Sequence, residues 1–264
     1  MNREFIRGPM RTGLVWVSGA CLAMLLIVLA PGAGLSLAPV SHGDEQAAGL
    51  VSSTTDYALN WAGYVATGSD GSVTSVAGTW VVPTITCSSS QTDLSVWVGI
   101  DGFNTKDLIQ AGTGAACNGG SASYDAWWEV LPAPETIISS ITVHPGDTVT
   151  ASVTYSTSTE KFTMTIADGS HSFSKTKKVS PAARDAAVCI VERPEVGGSL
   201  SSLAKFKTAT FSSCTATISG ATHGIGGFPG VKVDMVNTAD TKIIASTSAL
   251  KTESSFTVTW KGYT

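Results

Sequence analysis

Thr148-Val149-Thr150-Ala151-Ser152-Val153-Thr154-Tyr155 alternates small polar side chains with apolar ones. A strand sends successive side chains to opposite faces, so this pattern predicts a strand with one face on a core. Lys161–Ala167 (KFTMTIA) repeats it, Ala167-Asp168-Gly169 marks a turn, and His171–Lys177 (HSFSKTK) returns. The same near-alternation marks Ala62–Thr67, Val73–Val82, Leu94–Ile100, Ser123–Leu131, Ile137–Val143 and Val188–Val191. It recurs at Lys207–Ile218, Val231–Val236, Ile243–Leu250 and Ser255–Trp260. Ser69-Asp70-Gly71, Pro145-Gly146-Asp147 and Gly226-Gly227 are further turn signals. Ser199–Phe206 reads as one short helical turn. Many short strands without a long helical period predict an all-β, antiparallel sandwich or barrel.

Composition agrees. Of 264 residues, 43% are hydrophobic, enough for a sizeable core. Only 14% are charged, against a typical ~25%. Thr, Ser, Gly and Val take their place and favour strands and turns. The net charge is −4 with no basic run or stripe, which speaks against nucleic acid as a partner.

The first residues read as an export signal. Arg3, Arg7 and Arg11 precede the apolar run Leu14–Ala30, and small residues with Pro31 follow. The expected organisation is a signal peptide over 1–34, a linker or short pro-segment over 35–56, and one folded domain over 57–264. Export implies an extracellular protein with no stable membrane association after cleavage, and a monomer is expected. Beyond the signal remain Cys87, Cys117, Cys189 and Cys214. An even number in an exported chain suggests disulfides. Three pairings exist; Cys87–Cys117 and Cys189–Cys214 are favoured because each pair is near in sequence and flanks a strand-like segment. No C-x-x-C spacing occurs and the histidines are scattered, so no metal is expected. Dinucleotide and P-loop patterns are absent, so no cofactor is expected either.

Other hydrolase signatures are missing: G-x-S-x-G, H-E-x-x-H, and Asp-Thr-Gly or Asp-Ser-Gly. His42, His144, His171 and His223 have no neighbourhood that suggests a triad. Three segments stand out instead. Ser95–Gly102 (SVWVGIDG) leads into Leu108–Gly112 (LIQAG), where a lone Gln sits among apolar residues. Tyr124–Pro132 (YDAWWEVLP) places Asp125, Trp127 and Glu129 on one strand face, with Trp128 on the other. Cys189–Pro194 (CIVERP) ends an apolar strand in a carboxylate. A face carrying Gln, Trp, Asp and Glu is costly to bury unless it lines a cleft; the bland reading is a solvated outer face.

With Asn60–Tyr64 (NWAGY) at the domain start, these segments together resemble the eqolisin family of glutamic peptidases, in order and across the whole expected domain. The resemblance implies an antiparallel two-sheet β-sandwich of the concanavalin-like or jelly-roll type. It implies a catalytic pair at Gln110 and Glu192, and a cleft lined by Trp97, Asp101, Asp125, Trp127 and Glu129 that takes a protein or peptide substrate. Glu192 would activate water and Gln110 would stabilise the oxyanion, a pair suited to acid, where a His base is protonated. The residues Ala187-Val188-Cys189 depart from the Ala-Glu-Trp that fungal members often carry before Ile-Val-Glu. A lectin-like carbohydrate- or cell-wall-binding module is the main alternative, an inactive homologue the second and a two-carboxylate glycosidase the third.

Overall fold

The computed structural model describes residues 54–263. The expected signal peptide, most of the expected linker and His42 lie outside the described residues. In chain order the strands are β1 (Thr55–Ala58), β2 (Trp61–Thr67), β3 (Val73–Val81), β4 (Ile85–Thr86), β5 (Thr92–Asp101), β6 (Leu108–Asn118) and β7 (Ser121–Val130). There follow β8 (Thr136–Ile137), β9 (Thr148–Ser156), β10 (Lys161–Asp168), β11 (His171–Lys177), β12 (Ala186–Glu192), β13 (Glu195–Val196), β14 (Ser199–Leu200) and β15 (Lys205–Phe206). Last come β16 (Thr208–Ile218), β17 (Ala221–Gly224), β18 (Gly230–Val236), β19 (Ile243–Thr247) and β20 (Phe256–Trp260).

Pairing runs in the order β11-β10-β9-β3-β16-β20-β19-β18-β2-β12-β5-β6-β7-β8. Every step of that path is antiparallel. β1 adds in parallel to β18. The path doubles back, so that β9, β3 and β16 pack against β6, β5 and β12. The result is a sandwich of two layers, as expected.

One face of each layer fills the space between them. Trp80, Val153, Phe162 and Phe211 from one layer meet Val96, Val98, Ala111 and Val191 from the other. Each fully buried Phe contributes roughly 1.5–3 kcal/mol. Cys189–Cys214 joins β12 to β16 across the layers, and Cys87–Cys117 ties the loop after β4 to β6. On the outer face of the β9 layer, hydroxyls pair across strands at Thr79–Thr150, Ser152–Thr165 and Thr163–Thr176. That accounts for much of the Thr and Ser in the composition.

Two sequence expectations are corrected. Ile137–Val143 is a strand only at Thr136–Ile137. Ile138, Ile141 and Val143 are buried all the same, because this segment plugs the core with side chains instead of extending a ladder. Ser199–Phe206 holds no helical turn. Its apolar positions have helical spacing, but β5 takes the backbone instead: the Asp93 N–H donates to Ser202 O, and the Ala204 N–H to Asp93 O. The helical element among the described residues is a single 3-10 turn, Ile225–Gly227, where Gly226-Gly227 signalled a turn.

β5 and β12 are buried along their whole length. Antiparallel strands usually wet one face. Here the second face is covered by its own cluster of Trp61, Trp97, Trp127, Leu108 and Leu131. That cluster houses the site.

Candidate active site

Five neighbouring strands, β2, β12, β5, β6 and β7, align their side chains in rows on this second face. One row is Trp61, Glu192, Ser95, Gly114 and Asp125. The next is Gly63, Ile190, Trp97, Gly112 and Trp127, and the third is Val65, Val188, Gly99, Gln110 and Glu129. Gln110 and Glu192 therefore stand two strands and two rows apart, with Trp97 at the midpoint of the diagonal between them. Gly99, Gly112, Gly114 and Ser95 carry little or no side chain, so they leave a shallow trough beside Trp97.

Glu192 is fully buried. Its Oε2 accepts the Trp97 indole N–H at 2.8 Å. Its Oε1 accepts from Asn60 Nδ2 and Trp61 Nε1, each at 3.3 Å. All are N–H donors, an arrangement that suits a carboxylate, which only accepts. Trp61 and Trp97 pack edge to face with ring centroids 5.0 Å apart, which fixes both indoles. Trp97 needs Gly112 beside it: a Cβ there would lie 2.4 Å from the Trp97 Cβ.

Gln110 is also fully buried. Its Nε2 donates to Glu129 Oε2 at 2.6 Å. A carboxylate at that distance fixes which end of the amide is nitrogen. No described residue donates to Gln110 Oε1. One amide N–H of Gln110 is thus engaged by Glu129.

The remaining residues expected at the site fall as follows. Trp127 belongs to the second-face cluster, whereas Trp128 packs on the edge of the inter-layer core. Lys175 and Lys177 lie over the Trp128 ring. Asp125 leans over Gly114, where an added Cβ would stand 2.5 Å from its Oδ1. With Asp93, Ser95, Glu135 and Pro194 it lines a small groove at the Glu192 end. Asp101 ends β5 at a positive φ of 73°. Its carboxylate accepts the backbone N–H groups of Arg184 and Asp185, both at 2.9 Å. Asp101 thus anchors the loop that enters β12. Asn60 and Trp61 belong to the site although no role was assigned to them from the sequence; their positions beside Glu192 depend on a strand register that no local signal carries.

Burial pushes Asp101 up to about 6, and the neighbouring Asp185 carboxyl adds to the shift while the two backbone N–H bonds oppose it. A raised carboxyl binds more protons in the folded state. Its stabilisation is complete below the ordinary value of 3.8 and is lost as pH rises through about 6. The wild-type stability should therefore decline between pH 4 and 6.5, by an amount on the order of 2–3 kcal/mol, and the melting temperature with it. Asp101→Asn should flatten that decline in thermal melts. Equal slopes in the two proteins would remove Asp101 as the cause.

Among the described residues, no group of three or more His, Cys, Asp or Glu is arranged to hold a metal ion. No helix among them is long and apolar enough to cross a membrane.

Comparison with known proteins places these features. The model of the Peptidase A4 family matches residues 59–260. Aspergillopepsin-2 of Aspergillus niger is 32% identical over 194 residues, which is 64% of this chain and 68% of that protein. Scytalidopepsin B of Scytalidium lignicola is 36% identical over 101 residues, 38% of this chain and 36% of that protein. Among solved structures, scytalido-glutamic peptidase with a transition-state analogue inhibitor superposes with a TM-score of 0.66 at 24% identity, covering 77% of this chain and 98% of that one. Aspergilloglutamic peptidase from Aspergillus niger gives 0.57 at 30% identity, covering 64% and 99%.

Proposed function

Because the chain belongs to the Peptidase A4 family, the eqolisin glutamic peptidases, we propose that it is a secreted, acid-active endopeptidase with Glu192 as general base and Gln110 as oxyanion donor. The observation that carries this reading is the contrast between the two buried groups. Glu192 is held as an acceptor by N–H donors. Gln110 is oriented by Glu129 with one N–H to spare.

The substrate strand would cross the trough beside Trp97, over Gly112 and Gly114. Glu192 takes a proton from water, and the resulting hydroxide adds to the scissile carbonyl carbon. Charge grows on the carbonyl oxygen, where the second Gln110 N–H meets it. Glu192 then returns the proton to the amine nitrogen, and the C–N bond breaks to give a carboxylic acid and an amine. No covalent enzyme intermediate is needed. An amide does not titrate in this range, so the oxyanion donor persists in acid. Trp97 fixes Glu192, Glu129 fixes Gln110, and Asp125 lines the groove at the Glu192 end. Residues 1–34 would direct export, and the domain would act as a monomer on unfolded polypeptides.

Residues 35–264 assayed on haemoglobin from pH 2 to 7 test this. Cleavage should be confined to acid and persist with pepstatin and with a chelator. Cleavage only near neutrality, or its loss with either inhibitor, would contradict the reading.

A further inference from the structure

Arg193 follows Glu192 directly and is 1% exposed. Adjacent strand residues point to opposite faces, so its side chain leaves the trough. Its Nε donates to Leu59 O at 2.6 Å and its Nη2 to Thr238 Oγ1 at 3.4 Å. Its backbone N–H donates to Asn60 O at 3.0 Å. No carboxylate among the described residues pairs with it, and burial pulls the guanidinium down to about 10. A buried cation without a counter-ion is costly, and the fold keeps it.

The guanidinium holds the Leu59 carbonyl, at the head of the segment Leu59–Trp61. Two side chains of that segment, Asn60 and Trp61, supply both N–H groups on Glu192 Oε1. We propose that Arg193 is a positioning residue for the water-activating carboxylate, fastening Leu59–Asn60 so that Asn60 and Trp61 present their N–H groups to Glu192. This rests on the assignment of Glu192 as the base. The demand for donors is high, because the same sheet face carries other acids. Asp93 of β5, Asp125 and Glu129 of β7, and Glu135 before β8 each disfavour a further negative charge there. On the Arg193 side, β1 carries Asp56 and Tyr57, and the turn bearing Thr238 carries Asp240 and Lys242.

Loosening the clamp weakens the carboxylate form of Glu192, so the acid limb of kcat/KM moves to higher pH. Arg193→Met should shift it by about one pH unit, roughly tenfold in kcat/KM at the acid end, with little change on the plateau. Arg193→Lys keeps the charge but puts a methylene where Nε donates; a shift of about half that size is expected. Asn60→Ala should move the limb the same way, and adding Arg193→Lys to it should add little, because both act through one contact. Profiles of wild type and these four variants on one peptide, with Glu192→Gln alongside, decide the matter. An unmoved limb in Arg193→Lys, an even loss at every pH, or full additivity with Asn60→Ala would overturn the positioning role. Activity surviving in Glu192→Gln would instead sink the assignment of the base.

Discussion

In Glu192→Gln, peptide cleavage is expected to fall by roughly 10²–10⁴-fold at every pH from 2 to 7. The carboxamide keeps the shape of the side chain and removes its basicity. Water at the site then has no group to take its proton, and the leaving amine has none to receive one from. The substitution also turns one acceptor into a donor. The group facing Trp97 Nε1, or the pair Asn60 Nδ2 and Trp61 Nε1, meets an NH₂ instead of an oxygen. Donor against donor in a buried site costs about 1–3 kcal/mol of stability. The variant should therefore melt earlier yet remain folded, and circular dichroism at the assay temperature separates lost chemistry from lost structure. Cleavage within threefold of wild type would show that another group activates the water.

Gln110→Ala is expected to lower kcat by about 10²–10³-fold with a smaller change in KM. The amide N–H contributes most once negative charge has formed on the carbonyl oxygen, so its loss falls on the transition state. Steady-state kinetics on one peptide reads the split. A rise in KM alone would make Gln110 a substrate-binding group instead. Loss of the 2.6 Å contact to Glu129 should leave the row intact, because backbone pairing of Gln110 with Glu129 and Gly99 holds it.

The strands were legible because their signal is local. Val149, Ala151 and Val153 alternate in sequence and lie side by side in the core. The same signal misleads where apolar side chains fill the core from a loop, as at Ile138, Ile141 and Val143. It misleads again at Ser199–Phe206, where spacing suits a helix and the edge of β5 wins the hydrogen bonds. The candidate site was legible as motifs and not as a geometry. Asn60 lies 132 residues from the carboxylate it bonds. Only the pairing of β2 with β12 makes them neighbours. The bonds that the Asp101 carboxylate accepts from the Arg184 and Asp185 backbone N–H groups likewise span more than 80 residues. Arg193 invites reading as an ion pair with Glu192, yet strand alternation sends the two side chains apart, and the guanidinium meets Leu59 and Thr238 instead.

In the proposed mechanism one buried carboxylate, Glu192, activates water while one amide, Gln110, receives the oxyanion. The most direct test is kcat/KM against pH for wild type, Glu192→Gln and Gln110→Ala on a single peptide, each protein first shown to be folded. An acid-confined wild-type profile is expected, with both variants depressed across the whole range. A folded wild type that cleaves nothing, or a Glu192→Gln profile that overlies an active wild type, would overturn the assignment.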